Sequence, residues 1–214
     1  MSLKIIHTAD WHLGQTFFGY DRDDEHEAFL SWLTDLLVQR QTDVLLIAGD
    51  VFDVANPSAA AQRRFFRFLR EANRRNPHLQ IVLIAGNHDS AARLEAPIPL
   101  LEELNTSIVG IVPRTDLCKI DFDSLLIPLY NKEGKREAIC LAVPYLRQGD
   151  YPASEERKDT YVEGVTRMYR GLYDYADSQR QPGEVLLAMG HLHATGAELS
   201  EDDRSERTIM GGLE

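Results

Sequence analysis

Short apolar runs alternate along the chain with longer stretches in which apolar residues recur at helical spacing. An apolar run that ends in a polar cluster is typical of a strand buried on both faces of a mainly parallel sheet. The predicted strands of this kind are Lys4–Thr8, Val44–Ala48, Ile81–Ala85 and Val185–Met189, and a further strand is predicted near Ile108–Val112. The helical spacing predicts helices over Asp24–Gln39, from Pro57 to about Arg75, around Leu94–Leu104, and from the end of the polar segment Gln148–Lys158 to about Tyr175.

The stretch 115–143 has a different character. Its apolar residues alternate with polar ones, and turn residues stand at Asp121–Asp123 and Lys132–Gly134, so antiparallel hairpins are predicted. Asn56 and Pro57 are interpreted as the N-cap and first-turn proline of the helix that follows them. The predicted class is α/β, with layered mixed β-sheets flanked by helices.

Four of the predicted strands are followed at once by residues that can bind metal ions. They are Asp10-Trp11-His12, Gly49-Asp50, Gly86-Asn87-His88-Asp89 and Gly190-His191. In open α/β sheets the crevice beyond the carboxyl ends of the strands binds ligands, so these residues are expected to converge there. Glycine tolerates the positive φ of a sharp exit from a strand. Carboxylate, imidazole and amide oxygen together suit manganese, iron or zinc, and a carboxylate shared by two ions suits phosphoryl transfer.

Each of these motifs is weak evidence when it is taken alone. Asp-x-His is a common loop pattern, Asp after a strand often caps the next element, and Gly190-His191 by itself is ambiguous. Gly86–Asp89 is stronger, because packing gives no reason to put four such residues directly after an apolar strand. The combination, in this order and on matching strands, predicts a functional site.

The net charge of −11 counts against a protein that grips nucleic acid through its own surface. A polyanionic substrate would need bound divalent cations, a local basic patch or a partner subunit to offset the repulsion. No apolar run approaches the ~20 residues that span a bilayer, and the N-terminal residues lack a secretory signal pattern. Cys118 and Cys140 are interpreted as reduced cysteines, so we expect a cytoplasmic protein without membrane association.

The order of motifs resembles that of the calcineurin-like metallophosphoesterases, D-x-H…G-D…G-N-H-D/E…H…G-x-H. The loops HTADWHLG, GDVFDVANPS, IAGNHDS and GHLHATGA, with the later ERTIMGGLE, are more closely similar to the SbcD family, the nuclease subunits of bacterial SbcCD exonucleases. This resemblance covers essentially the whole chain. It implies a dinuclear metal-dependent DNA exo- and endonuclease that acts on DNA ends and hairpins in repair, recombination and replication.

The resemblance also implies roles for individual residues. Asp10 and His12 would hold the first ion, Asp50 would bridge the two, and Asn87 and His191 would hold the second. His88 would stabilise the developing charge or protonate the leaving oxygen. Asp53 would lie near the phosphate. Asp89 is left open between orienting His88 and capping a helix.

The implied cofactors are two divalent ions, with Mn²⁺ favoured, and the implied partners are DNA and an SbcC-type ATPase subunit. A homodimer within a heterotetramer is expected, in which the ATPase and dimerisation supply much of the DNA grip. This arrangement would reconcile the acidic charge of the chain with a polyanionic substrate.

One motif departs from the family pattern. The family site needs further histidines in a G-x-H motif on a later strand, and Gly190-His191-Leu192-His193 superficially supplies them. The surrounding residues favour the earlier single-histidine motif, which makes His193 a neighbour and not a ligand. Under this hypothesis residues 1–214 are a metallophosphoesterase domain truncated before the last metal-ligand motif and the capping domain, and the metal site is incomplete.

Two other functions remain open at this point. A phosphoprotein or cyclic-nucleotide phosphoesterase would share the fold, although the loops favour a nuclease. A catalytically silent scaffold would have lost metal ligands or the acid histidine, whereas Asp10, His12, Asp50, Asn87 and His88 are all present.

Two surface patterns also allow two interpretations. The stripe Arg63, Arg67, Arg70 and Arg74 could follow a phosphate backbone, but a solvated helix face is the preferred interpretation. Phe17, Phe18 and Tyr20 could stack on a base or join a dimer contact, although packing on their own strand is the plainer account.

Overall fold

The computed structural model of the protein describes residues 3–116, 119–153 and 160–192. The strands in these ranges are β1 (Ile5–Thr8), β2 (Thr16–Phe17), β3 (Tyr20–Asp21), β4 (Val44–Ala48), β5 (Gln80–Ile84), β6 (Thr106–Val109), β7 (Leu126–Tyr130), β8 (Arg136–Ala142) and β9 (Val185–Met189). The α-helices are α1 (Asp23–Gln39), α2 (Ala59–Arg75), α3 (Ala91–Glu95), α4 (Ile98–Leu101) and α5 (Tyr161–Gln179).

Two sheets carry the fold. The first has the order β1-β4-β5-β6 with parallel pairing throughout, so all four carboxyl ends lie at one edge. The second has the order β7-β8-β9, in which β7 and β8 form an antiparallel hairpin and β9 runs parallel to β8. The predicted class, layered mixed sheets flanked by helices, is confirmed.

The core lies in two layers on the two faces of the first sheet. Leu45, Ile47 and Leu83 pack against α1 and α2 on one face. Alternate residues of the same strands, such as Leu46 and Ile84, pack on the other face with the second sheet and α5. Strands β4 and β5 are therefore buried on both faces, as their unbroken apolar runs predict. This burial fixes the strand ends that carry the candidate site.

Several predicted elements differ from the observed ones. The strand predicted near Ile108–Val112 is Thr106–Val109, and β1 is not fully buried because it lies at an edge of the first sheet within the described residues. The helix expected around Leu94–Leu104 is divided into α3, α4 and a 3₁₀ turn over Glu102–Leu104, since Pro97 and Pro99 lack the amide that a continuous helix needs. The N-cap of α2 is Ser58, whose hydroxyl accepts a hydrogen bond from the Ala61 amide at 3.1 Å, so the assignment to Asn56 was wrong.

Strand β9 has the predicted bounds but not the predicted burial. Val185 is 60% exposed, because β9 lies at an edge of the second sheet within the described residues. An apolar run of five residues does not distinguish such a strand from a central one.

A row of ion pairs, here called the α1–α2 ladder, joins helices α1 and α2. Its members are Arg64 with Asp23 and Glu27, Arg67 with Glu27, and Arg75 with Asp35. Arg67 and Arg74 of the predicted arginine stripe are thus already paired, Arg74 with Glu71. The solvated-face interpretation of the stripe is the one that these pairs support.

The aromatic residues after His12 form the hairpin of β2 and β3. Phe17, Phe18 and Tyr20 are 64%, 85% and 78% exposed, and the rings of Phe17 and Phe18 contact each other. Packing against their own strand, the plainer interpretation, was therefore wrong.

A helix with the length and hydropathy of a membrane span is absent from the residues that the structure describes.

Candidate metal centre

The loops that follow β1 and β4 are joined along their backbones. The Asp10 amide donates to the Gly49 carbonyl at 3.1 Å, and the His12 amide donates to the Asp50 carbonyl at 3.0 Å. Asp10, His12 and Asp50 all have positive φ, at 58°, 45° and 49°. Non-glycine residues rarely adopt this conformation, and it persists at functional sites where the surrounding structure enforces it. The two loops are therefore bent so that these three side chains face one crevice.

Two glycines allow the neighbouring loops to approach. Gly49 has φ of 89°, and a Cβ atom there would lie 2.5 Å from Nδ1 of His191. Gly86 does not have a positive φ. Glycine is needed there because a Cβ atom would overlap the Asp50 carboxylate. The sequence argument from positive φ thus holds at Gly49 but not at Gly86.

Asp50 is the central residue of the site. It is only 3% exposed, and its Oδ1 accepts a hydrogen bond from the His88 amide at 2.8 Å. Its Oδ2 lies 3.8 Å from Nε2 of His12 and 3.4 Å from Nε2 of His191. Burial opposes ionisation, but hydrogen bonds from His191 and from the His88 amide hold the pKa of Asp50 below its usual range. One carboxylate oxygen therefore faces imidazoles on two sides.

The first of these sides contains Asp10 and His12. Their ligand atoms and one oxygen of Asp50 all lie within 4.8 Å of one another, and His12 Nε2 is 3.9 Å from Asp10 Oδ1. The other ring nitrogen of His12, Nδ1, is buried without a hydrogen bond in the described structure, although Asp53 Oδ1 lies 3.4 Å away. Asp53 is thus positioned to orient the His12 ring.

The second side contains Asn87 and His191. Nδ1 of His191 lies 2.8 Å from the Ala48 carbonyl, which can only accept, so Nδ1 carries a proton. Nε2 lies 2.9 Å from Oδ1 of Asn87. Burial lowers the pKa of His191, but the hydrogen bonds to Asp50 and the Ala48 carbonyl outweigh it and raise that pKa to about 9.

The donor set fits divalent cations. With Nδ1 of His191 protonated, a neutral His191 turns the lone pair of Nε2 toward the oxygens of Asn87 and Asp50. Three acceptors that face one another need a proton or a metal ion between them. His12, Asp10 and Asp50 present the same situation on the other side. Mixed nitrogen and oxygen donors of this kind bind borderline divalent metals.

His88 is held beside this centre by a different contact. Its Nδ1 lies 2.7 Å from the backbone carbonyl of Asp53, which requires a proton on Nδ1 and leaves Nε2 for another partner. The His88 ring meets the His12 ring edge-to-face at 4.9 Å. Together with His12, His88 and Asp53 form a second cluster of potential ligands.

Asp89 has neither of the roles that the sequence left open. It is 3% exposed, and its carboxylate accepts hydrogen bonds from the amides of Val51, Phe52 and Gly86 at 3.2, 3.0 and 2.9 Å. Burial raises the pKa of Asp89 despite these bonds. Asp89 therefore fastens the Asp50 loop to the Gly86 loop and neither orients His88 nor caps α3, whose N-cap residue is Ser90.

A fifth strand end also reaches the crevice, and sequence reasoning missed it. Beyond β8, the Tyr145 amide donates to the Ala85 carbonyl at 2.8 Å, and the Tyr145 ring lies 6.2 Å from the His191 ring. The guanidinium of Arg147 lies 5.7 Å from the centre of the Tyr145 ring. The sequence feature that could have predicted this is the apolar run of β8. Pro144-Tyr145 follows that run, just as polar residues follow the other strands.

Asp10, His12, Asp50, Asn87 and His191 thus lie together around the Asp50 carboxylate, with His88 and Asp53 beside them. His193, Cys118 and the stretch ERTIMGGLE lie outside the described residues.

This geometry agrees with the comparison to known families. The sequence profile of the calcineurin-like phosphoesterases matches residues 3–210, so the chain belongs to that family.

Within the family, the chain is similar to the SbcD components of SbcCD nucleases, as the loops predict. It is 43% identical to SbcD of Rhodobacter capsulatus over 98% of the chain and 52% of the relative. It is 33% identical to SbcD of Escherichia coli K12 over 99% of the chain, and 31% identical to SbcD of Bacillus subtilis over 94%. The chain spans about half the length of these curated relatives.

Proposed function

We propose that the protein is a two-metal phosphodiesterase that hydrolyses DNA at ends and hairpins, as the nuclease component of an SbcCD-like repair complex. The observation that carries this proposal is the shared carboxylate oxygen: Asp50 Oδ2 lies 3.8 Å from His12 Nε2 and 3.4 Å from His191 Nε2. A carboxylate between two sets of ligands is the arrangement that holds two ions side by side. The similarity to SbcD nucleases supports DNA as the substrate.

In this mechanism Asp10 and His12 would hold one ion, Asn87 and His191 would hold the other, and the Asp50 carboxylate would contribute to both. When bound, the ion pair supplies positive charge for the phosphoryl oxygens and lowers the pKa of a water nucleophile. Asp53 keeps the His12 ring in register through Nδ1, and Asp89 keeps the Asp50 and Gly86 loops together.

His88 acts on the leaving oxygen. Because its Nδ1 proton is fixed on the Asp53 carbonyl at 2.7 Å, Nε2 is the atom that meets substrate. In the imidazolium form Nε2 donates a proton, which suits a general acid for the departing oxygen. Its role requires no metal coordination by His88.

The identity of the metal and of the partner is proposed from the similarity to SbcD nucleases. Mn²⁺ is the proposed ion on that ground, since imidazole nitrogen with carboxylate and amide oxygen suits manganese, iron or zinc alike. The net charge of −11 favours a partner that supplies DNA affinity, and we propose an SbcC-type ATPase with two nuclease chains per complex. Cytoplasmic localisation, and a further ligand motif with a capping domain beyond Glu214, stay predictions.

The proposal is tested with the full-length protein and Mn²⁺ on hairpin DNA and on a small phosphodiester, with and without a chelator. Metal-dependent cleavage of hairpin DNA supports the nuclease. Cleavage of the small phosphodiester alone would instead indicate a phosphoesterase of other specificity. An inert protein that binds a partner tightly would indicate a scaffold.

A further inference from the structure

The segment after β8 brings an aromatic ring and a cation to the metal centre, and the mechanism above uses neither. The last three residues of Val143–Arg147 alternate between core and crevice. Leu146 is 2% exposed and lies in the core, whereas Tyr145 is half-buried and Arg147 is exposed. Alternation of this kind turns Tyr145 and Arg147 away from the core together. The Tyr145 amide, bonded to the Ala85 carbonyl, fixes the segment against the strand end that leads to Asn87.

The Tyr145 ring faces the candidate ligand shell. Its centre lies 6.2 Å from the His191 ring in an edge-to-face arrangement, within the range of favourable aromatic contacts. The Tyr145 hydroxyl makes no hydrogen bond to any residue that the structure describes. An aromatic ring beside a phosphoryl-transfer centre can stack on a nucleobase or sugar.

Arg147 contributes the charge. Its guanidinium lies 5.7 Å from the Tyr145 ring centre, and no carboxylate in the described ranges forms an ion pair with it. The arginines of the α1–α2 ladder, in contrast, are already paired with carboxylates. The Arg147 backbone is held by its own amide, which donates to Asp150 at 2.7 Å, so the cation is carried on a fixed turn. A guanidinium that is stacked but unpaired is suited to a phosphate.

We propose that Tyr145 and Arg147 form a subsite for the nucleotide that adjoins the scissile phosphate. Tyr145 stacks on that nucleotide and Arg147 binds its phosphate. The subsite rests on the proposed function, since it presupposes a nucleic acid strand across the metal centre. It explains how a chain with a net charge of −11 would hold a polyanion next to its catalytic residues.

The test compares the full-length protein and three variants on two substrates with Mn²⁺. The variants are Arg147→Ala, Tyr145→Ala and Tyr145→Phe, and the substrates are a DNA strand and bis(p-nitrophenyl) phosphate, which has no adjoining nucleotide. Arg147→Ala and Tyr145→Ala are expected to lower kcat/KM on DNA by roughly 10-fold, the loss of one phosphate or stacking contact. On the small diester Arg147→Ala should stay within about twofold of the parent, and Tyr145→Ala should lose less than it loses on DNA, since the Tyr145 ring also packs against His191. Tyr145→Phe keeps the ring and should resemble the parent on both substrates.

A matched control is Arg63→Ala, which removes an exposed arginine from α2. Arg63→Ala should change neither the activity on DNA nor the activity on the small diester. The slope of DNA affinity against salt concentration should fall by the equivalent of about one phosphate contact in Arg147→Ala, and it should not change in Arg63→Ala. Equal losses on both substrates would show that the segment only supports the fold, and unchanged DNA cleavage would show that there is no subsite. If the parent cleaves neither substrate, the proposed function fails and not the subsite alone.

Discussion

The α1–α2 ladder and the metal centre both concentrate charge, and they differ in how that charge is balanced. In most of the ladder, arginine meets carboxylate at the surface: Arg75 lies 2.7 Å from Asp35, and Arg67 pairs with Glu27 although both are more than half exposed, whereas the Arg64 side chain is only 10% exposed. At the strand ends, Asp50 is 3% exposed, and no lysine or arginine of the described residues pairs with it. Its partners are imidazoles, and His191, whose pKa is raised to about 9, balances the Asp50 charge in the metal-free fold.

The backbone makes the same distinction. The ladder stands on regular helices, whereas Asp10, His12 and Asp50 are held at positive φ. Exposed ion pairs contribute little to the free energy of unfolding. A buried carboxylate among imidazoles and an amide oxygen is costly unless a cation joins it. The comparison teaches that the ladder is complete in itself, while the strand ends are built for a cation.

The largest effect is expected from Asp50→Asn, which removes the charge shared by both halves of the centre. Binding of both ions should be lost, and DNA cleavage should fall by at least ~10³-fold, comparable with losing a main electrostatic element of catalysis. Metal content by mass spectrometry and cleavage of hairpin DNA check this. Retention of two ions would overturn the bridging role of Asp50.

His88→Leu should separate catalysis from metal binding. The His88 side chain contacts the Asp53 carbonyl and the His12 ring. Loss of its proposed acid role should lower hydrolysis by about 10²–10⁴-fold, the usual contribution of an acid catalyst. Metal content should remain near that of the parent. A variant that loses its ions would show that His88 is a ligand.

Asp53→Asn should have an intermediate effect, because Asp53 acts on the His12 ring at 3.4 Å and through it on the first ion. Metal affinity should fall by about 10–100-fold, as for other residues that orient a ligand. Calorimetric titration with Mn²⁺ measures this. An affinity loss equal to that of Asp50→Asn would make Asp53 a direct ligand.

The metal-free protein should lose stability with rising pH. The pKa of His191 is raised to about 9 in the fold, above its unfolded value near 6.5, so its contribution is fully present below pH 6.5 and is lost as pH rises toward 9. Thermal unfolding of the metal-free protein between pH 6 and 9.5 measures the decline. His191→Gln should flatten it, and an unchanged slope in that variant would assign the decline to other groups.

The smallest effect is expected on the ladder side of the comparison. Arg67→Ala removes an exposed pair with Glu27, so the free energy of unfolding should fall by less than about 1 kcal/mol. DNA cleavage should not change. A clear loss of DNA binding in this variant would revive the interpretation of the arginine stripe as a phosphate track.

Much of the first sheet could be predicted from the sequence, because strands buried on both faces leave unbroken apolar runs. Val44–Ala48 has the predicted bounds, and the polar residues after the strands converge as expected. Burial of β9 could not be predicted, since an edge strand can carry the same run. The role of Asp89 was hidden because its partners are backbone amides from a loop 37 residues away in sequence.

Tyr145 and Arg147 escaped prediction for a different reason. A tyrosine and an arginine after an apolar strand are common, and only the packing of the second sheet against the first brings them to His191. Side chains that can ligate a metal are recognisable in the sequence by their residue type. Side chains proposed to contact a substrate are recognisable only by their position in the fold.

The central claim is that one carboxylate joins two metal ions at these strand ends. Anomalous diffraction at the manganese absorption edge, from crystals of the full-length protein grown with Mn²⁺, tests it most directly. Two adjacent peaks are predicted, one beside Asp10 and His12 and one beside Asn87 and His191, with Asp50 touching both. Peaks located elsewhere, or a single ion without contact to Asp50, would contradict the claim.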